Sequence, residues 1–238
     1  MRILAVSQYY WPEPFNVADI CEELAARGHE VTVLTGIPNY PEGDVYPGYD
    51  ARRGMEEERN GVRIVRVPLR PRKTGNVNRF LNYESFSRNA SRKARGLREK
   101  FDVVLAYEVS PVMSANPAIA YAKANDVPCV IYVLDIWPEC LLMGGITKGS
   151  PIYKHYRRVS SRIYSSADVL AVSSPRFVDY LRPMVGDKAA YEYLPQYAED
   201  IFAEGACEKA TQDPSLLDGY APDGFDLTFA GNVGAAQA

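Results

Sequence analysis

The sequence has few of the residues on which much enzyme chemistry is built. It contains two histidines, His29 and His155, and neither has a metal-ligand partner at useful spacing. Its four cysteines (Cys21, Cys129, Cys140 and Cys207) lie far apart with no C-x-x-C. Buried free thiols in a reducing compartment are the reading they support, with no metal expected. No G-x-S-x-G occurs, and neither histidine is placed to serve a serine nucleophile, which disfavours serine hydrolysis. D-x-D, a common acidic metal anchor, is missing too. No stretch approaches the roughly 20 apolar residues of a membrane-spanning helix, and the apolar run in "MRILAVSQYYW" is too short for a signal peptide. These absences predict a cytoplasmic protein, peripheral at most to the inner face of the plasma membrane. There is no internal repeat and no low-complexity tract.

What is present is ordinary globular material, 47% hydrophobic and 24% charged, in 238 residues. The formal charge of −3 hides an uneven distribution. Residues 61–100 hold 12 of the 27 Lys+Arg but 2 of the 30 Asp+Glu, a local net of +10, which leaves 15 basic against 28 acidic elsewhere. A solvated face is the default for a charge run. This one is too lopsided for mutual pairing, and it predicts an anionic partner: anionic lipid, a lipid-linked phosphate or nucleic acid. Arg70, Arg72, Lys73, Arg79, Arg88 and Arg92 are the candidate contacts. Nucleic acid is disfavoured, because the rest of the chain is acidic and carries no recognition motif.

Short apolar runs alternate with longer helical patterns. Strands are predicted at 2–7, 31–35, 62–67, 103–106, 129–134, 169–172, 191–194 and 227–230. Helices are predicted at 17–27, 77–100, 115–125, 152–165 and 175–182. Several strands are continuous apolar runs, which suits parallel strands covered on both faces. The alternation predicts an α/β fold with a doubly wound, Rossmann-like parallel sheet. Residues 36–60, rich in Pro, Gly and Tyr, read as a lid or binding loop, or as a plain surface excursion. Residues 203–224 have a linker's composition.

Two strand ends carry candidate chemistry. The turn after the first strand, "SQYYWPEPFN", has no glycine, which excludes a G-x-G-x-x-G dinucleotide site. Glu13 and Asn16 stand there, where open sheets bind ligands; the plainer reading is an apolar plug with Asn16 as a helix cap. In "VIYVLDIWPEC", Asp135 marks a strand's carboxyl end and Pro138 suits the first turn of a new helix. Either Asp135 is a cap and Glu139 a dipole partner, or two carboxylates and Trp137 line a cleft that binds sugar hydroxyls and a sugar face.

The final stretch, "LTFAGNVGAAQA", reads as a strand running into a glycine turn of the kind that gathers backbone N–H groups around a phosphate. The predicted division is 1–223 as one domain with its linker, and 224–238 as the first strand and turn of a second.

Together these motifs resemble bacterial glycosyltransferases of family 4 with the GT-B fold, the branch that builds capsule, colanic-acid and O-antigen sugars. "QYYWPEPFNVADICEELAARGHEVTVLTGIPNYPEG", "LDIWPE", "SSADVLAVSSPRFVDYL", "LPQYAEDIF" and "LTFAGNVGAAQ" carry the resemblance in order over nearly the whole chain. It departs at Phe15-Asn16, where paired glycines are common, and at Gln196, where Asn is usual. The resemblance implies an acceptor-binding N-terminal half of a retaining, metal-independent enzyme, with a nucleotide-sugar as substrate and no cofactor. Asp135 and Glu139 are then the catalytic candidates, and Glu13, Asn16, Trp137 and Ser174 the acceptor contacts. Gly231, Asn232 and Gly234 would approach the donor pyrophosphate. The implied partners are a lipid-linked saccharide acceptor and an anionic membrane surface. Two other classes stay open: a sugar-nucleotide epimerase of the same architecture, and a non-enzymatic membrane-docking module.

Overall fold

The computed structural model describes residues 1–197. Within them β1 (Arg2–Val6), β2 (Glu30–Gly36), β3 (Met55–Arg59), β4 (Val62–Val67), β5 (Val103–Glu108), β6 (Cys129–Val133), β7 (Val169–Val172) and β8 (Ala190–Tyr193) form one sheet. The strand order is β3-β4-β2-β1-β5-β6-β7-β8. Every pairing is parallel except β3 with β4. The helices are α1 (Val17–Ala26), α2 (Asn76–Gly96), α3 (Asn116–Asn125), α4 (Pro151–Tyr164) and α5 (Pro175–Val185).

Successive strand side chains point to opposite faces, so each central strand feeds two cores. Ala5, Val31, Val33, Val62 and Ile64 meet Val17, Ala18 and Cys21 of α1 on one face. Leu4, Val6, Leu34, Val65, Val104, Ala106, Ile131 and Val133 meet α2 to α5 on the other. Phe86 of α2 is fully enclosed there, a burial that contributes about 2–3 kcal/mol. This double coverage is why β1 and β6 read as nearly unbroken apolar runs. From β1 the chain winds first toward β2 and β4, then from β5 outward to β8. The winding therefore reverses between β1 and β5. A crevice at the carboxyl ends of those two strands is the general ligand site of such sheets.

The last part of residues 36–60 is a strand and not loop. β3 has no apolar run, and its sequence MEEER alternates exposed and half-exposed residues at the sheet edge. Its carboxylates also change the charge balance of the basic segment. Glu56 pairs with Arg63 and Lys93, Glu57 with Arg66, and Asp44 with Lys73. Part of that segment is thus neutralised from outside it. The strand expected at 227–230 and the 203–224 linker lie outside the described residues. Among the described residues no helix is long and apolar enough to cross a membrane.

Candidate functional site

The turn after β1 is held by its own polar groups. Glu13 is 3% exposed, and its carboxylate accepts three backbone N–H bonds: from Asn39 and Tyr40 at 2.8 Å each, and from Tyr10 at 3.2 Å. Burial pushes its carboxyl up to about 7, against the opposing pull of those donors and of Arg66. Arg66, also buried, bonds the carbonyls of Gly36 and Trp11 as well as Glu57, and lies over the Tyr49 ring. A Gln8–Asn82–Asn39 chain runs beneath, Gln8 Nε2 donating to Asn82 Oδ1 at 2.7 Å and Asn82 Nδ2 to Asn39 Oδ1 at 3.1 Å. Gly43 has φ +86°, and a Cβ there would meet the Lys73 backbone at 2.8 Å, so the loop after β2 closes against the loop after β4.

Above this base stands an aromatic cluster around Arg72. Tyr9 stacks on Phe15 at 4.8 Å, and Tyr40 tilts against both rings. The Arg72 guanidinium lies over Tyr40 and Tyr83, and its NH1 donates to the hydroxyls of Tyr9 (2.8 Å) and Tyr83 (3.2 Å). No carboxylate is paired with Arg72 among the described residues. Both tyrosine hydroxyls accept from the cation, so their own protons are free to donate. The cluster is rich in donors and poor in acceptors, a composition that suits an anion.

Asp135 follows β6, and its Oδ2 accepts the Ser110 N–H at 2.7 Å. That bond ties the β6 end to the β5 end. Glu108, the last residue of β5, is fully enclosed beside it. Burial pushes the Glu108 carboxyl well above the usual carboxylate range, and the Asp135 charge pushes it the same way. Neither of its oxygens has a partner at bonding geometry; the Tyr164 hydroxyl beside it is directed instead to the Asp135 carbonyl, at 3.4 Å. Burial thus disfavours the charged form of Glu108, an enclosed carboxyl packed beside Asp135 at the β5–β6 end.

Other predicted site residues are placed differently from expectation. Glu139 does not converge with Asp135. It begins a short 3-10 turn, Glu139–Gly144, and its carboxylate faces a hollow between that turn, α4 and α5. There it accepts from the Tyr153 hydroxyl at 2.8 Å and pairs with Lys148 at 3.3 Å. Partial burial pushes its carboxyl up, but bonds from Tyr153, Tyr180 and Lys148 outweigh this and hold it below the usual range. Trp137 is buried; its Nε1 donates to Ser110 Oγ at 3.0 Å and its ring packs edge-on to Tyr156. Pro138 precedes that 3-10 turn, so the new helix whose first turn it was expected to suit is one short 3-10 turn, Glu139–Gly144; α4 follows where a helix was predicted. Ser174 caps α5, its hydroxyl accepting from the Arg176 N–H at 3.3 Å. Asn16 stands at the head of α1 but makes no side-chain cap bond to that helix.

Of the basic candidates, Lys73 pairs with Asp44, Arg70 leans on Asn78, and Arg79, Arg88 and Arg92 are exposed. Gly231, Asn232 and Gly234 lie outside the described residues. Sequence reading missed Glu108, Ser110 and the tyrosines around Arg72. The one available signal was "YEVSP", a charged residue ending an apolar strand just before a Ser-Pro turn.

The profile of the glycosyl transferase 4-like domain matches residues 16–196. The chain belongs to that family. It is 29% identical over 162 residues to the putative colanic acid biosynthesis glycosyl transferase WcaI of Escherichia coli (strain K12), covering 64% of this chain and 39% of that protein. Its fold is similar to that of sucrose-phosphate synthase from Thermosynechococcus elongatus, with a TM-score of 0.62, 16% identity, and coverage of 88% of this chain and 52% of that one. A UDP-forming α,α-trehalose-phosphate synthase from Burkholderia xenovorans is similar at a TM-score of 0.56 and 12% identity, over 92% and 53% of the two chains. The sheet is thus one half of the GT-B glycosyltransferase fold. This glycosyltransferase domain spans 39% of the length of WcaI and about half of each synthase. The family match takes in Arg72, Glu108 and Asp135, while Glu13 precedes it.

Proposed function

We propose that the enzyme is a retaining glycosyltransferase. It moves a sugar from a nucleotide-sugar to a lipid-linked saccharide in surface-polysaccharide biosynthesis, without a metal. This domain holds the acceptor and works at an anionic membrane surface, with the exposed Arg79, Arg88 and Arg92 of α2 as contacts. The observation that carries the acceptor role is the Arg72 cluster on the sheet's carboxyl-terminal rim. A lipid-linked saccharide has a phosphate beside its sugar; a guanidinium flanked by two tyrosine hydroxyls fits that phosphate, and the rings of Phe15 and Tyr40 offer apolar surface next to it. Asp135 stands on the same rim at the end of β6. Its carboxylate suits orienting an acceptor hydroxyl or stabilising positive charge on the transferred sugar, since retaining transfer passes through an oxocarbenium-like state. The colanic-acid assignment of WcaI and the UDP-forming reaction of the trehalose-phosphate synthase support a nucleotide-sugar donor.

The test uses the full-length enzyme, a panel of nucleotide-sugars and isoprenoid-linked acceptors. The expected product keeps the donor's anomeric configuration and forms in the presence of a chelator. The 238-residue chain by itself, which spans about half the length of the synthases it resembles, should give no product. An inverted product or a metal requirement refutes the proposal. Within the same assay Arg72→Ala raises KM for the lipid-linked acceptor roughly 10- to 100-fold, the worth of a charge-assisted bond, with kcat within about threefold. Unchanged KM removes the phosphate contact.

A further inference from the structure

Helix α4 carries a second cationic surface that the overall composition conceals. Residues 140–167 contain five basic residues and no acidic one. Lys154, Arg157, Arg158 and Arg162 fall at i, i+3, i+4 and i+8, on one stripe of the helix. The opposite stripe, Tyr153, Ser160, Ile163 and Tyr164, is buried. The cationic stripe and Lys188 line an open hollow of about 700 Å³ between α4 and α5, with Ser161, Ser165 and Ser166 among them. None of these five cations forms an ion pair among the described residues. The segment around α2 is different, since Arg63, Arg66, Lys73 and Lys93 there are paired with carboxylates.

Exposed apolar side chains stand beside this stripe, on the flank of α4 that faces α2. Phe80 of α2 is 45% exposed and Ile152 of α4 is 52% exposed. Phe80 lines a hollow between the two helices with His155, Tyr156, Arg158 and Arg162. Ile152 lies one turn before His155 on the same helix. Phe80 therefore adjoins Arg158 and Arg162 of the cationic row, and Ile152 stands on the next face of the same helix.

We propose that α4 is the principal membrane-docking element of this domain. Lys154, Arg157, Arg158, Arg162 and Lys188 bind anionic phospholipid headgroups, while Ile152 and Phe80 enter the headgroup–acyl boundary. From Lys154 to Arg162 the cations extend over about 12 Å of helix, a spread that suits a row of headgroups better than one free phosphate. Apolar tips beside a basic stripe fit a bilayer interface and have no use against a nucleic-acid backbone. The inference rests on the membrane-surface reading above and changes which helix makes the contact.

Sedimentation of the purified chain with phosphatidylcholine vesicles, with and without phosphatidylglycerol, tests it. Each Lys or Arg near an anionic surface contributes about fivefold to partitioning, so K154Q/R157Q/R158Q should lower binding roughly 100-fold. All three residues are exposed, and an unchanged Tm confirms that the variant is folded. Wild-type binding should also fade with salt, as the screening length shrinks from about 10 Å at 0.1 M to 3 Å at 1 M. In I152S/F80S the binding that survives high salt should fall. Binding by the α4 triple variant within about threefold of wild type overturns the proposal. If R79Q/R88Q/R92Q alone abolishes binding, the membrane reading stands and α4 is not its agent. If the wild type sediments with neither vesicle, or equally with both, the α4 proposal and the anionic-surface reading fall together.

Discussion

Replacing Glu13 by Gln isolates the cost of keeping a charge in the turn after β1. Its carboxyl stands at about 7 in the folded chain against an ordinary 4.5, with burial as the larger cause. That rise corresponds to roughly 3 kcal/mol. The folded pKa is the higher one, so the favourable contribution is complete below pH 4.5 and is lost as pH rises through 7. Gln cannot ionise, yet its amide oxygen can still accept the Asn39 and Tyr40 N–H groups that Glu13 Oε1 accepts now. Urea unfolding of both proteins from pH 5 to 8.5 gives the difference directly, and other titrating groups, Glu108 included, cancel in it. At pH 5, where the unfolded carboxyl is already largely ionised, the Gln variant should lead by roughly 1 kcal/mol or less. The Gln variant should lead by about 3 kcal/mol at pH 8.5. A difference that does not change with pH refutes the reasoning.

The remaining predictions concern the rim and its supports. Asp135→Asn in the full-length enzyme should lower kcat at least 100-fold, the order seen when electrostatic stabilisation of a transition state is removed. Its Tm should hardly move, because the amide oxygen still accepts the Ser110 N–H. Glu139→Gln should leave kcat within about threefold, since its carboxylate serves Tyr153 and Lys148; a collapse of turnover there would restore it to the catalytic set. Arg66→Met should cost about 3 kcal/mol in urea unfolding, because it strands Glu57 and the Gly36 carbonyl. Adding Glu57→Leu should recover part of that loss, and no recovery would mean that the carbonyl contacts dominate.

The order of strands and helices was legible because each central strand is covered on both faces, which forces continuous apolar runs of about five residues. Helices α1, α4 and α5 were equally plain from their period and from stops such as Gly28. β3 was not legible: an edge strand built of MEEER buries almost nothing, and only its register against β4 makes it a strand. Charge counts along the chain also misled. They identified 61–100 as one free basic surface, while the hairpin brings Glu56 and Glu57 onto Arg63, Arg66 and Lys93 from positions that lie before the segment.

At the site, sequence reading found Asp135 because a carboxylate ending an apolar strand stands out. It could not say where Glu139 and Trp137 point. Asp135 and Glu139 are four positions apart, but the intervening turn sends one carboxylate to the β5 end and the other toward α4 and α5. Glu108 was hidden for the opposite reason. At the end of a strand it looks like a surface residue, and only the packing of α4 and Tyr164 over it encloses the carboxyl beside Asp135. The sequence by itself determined the doubly wound sheet and the strand ends that form its rim, because local periodicity and burial on two faces encode them. Which polar groups meet on that rim was decided by tertiary structure, because contacts such as Arg72 with Tyr9 or Ser110 with Asp135 join residues 63 and 25 positions apart.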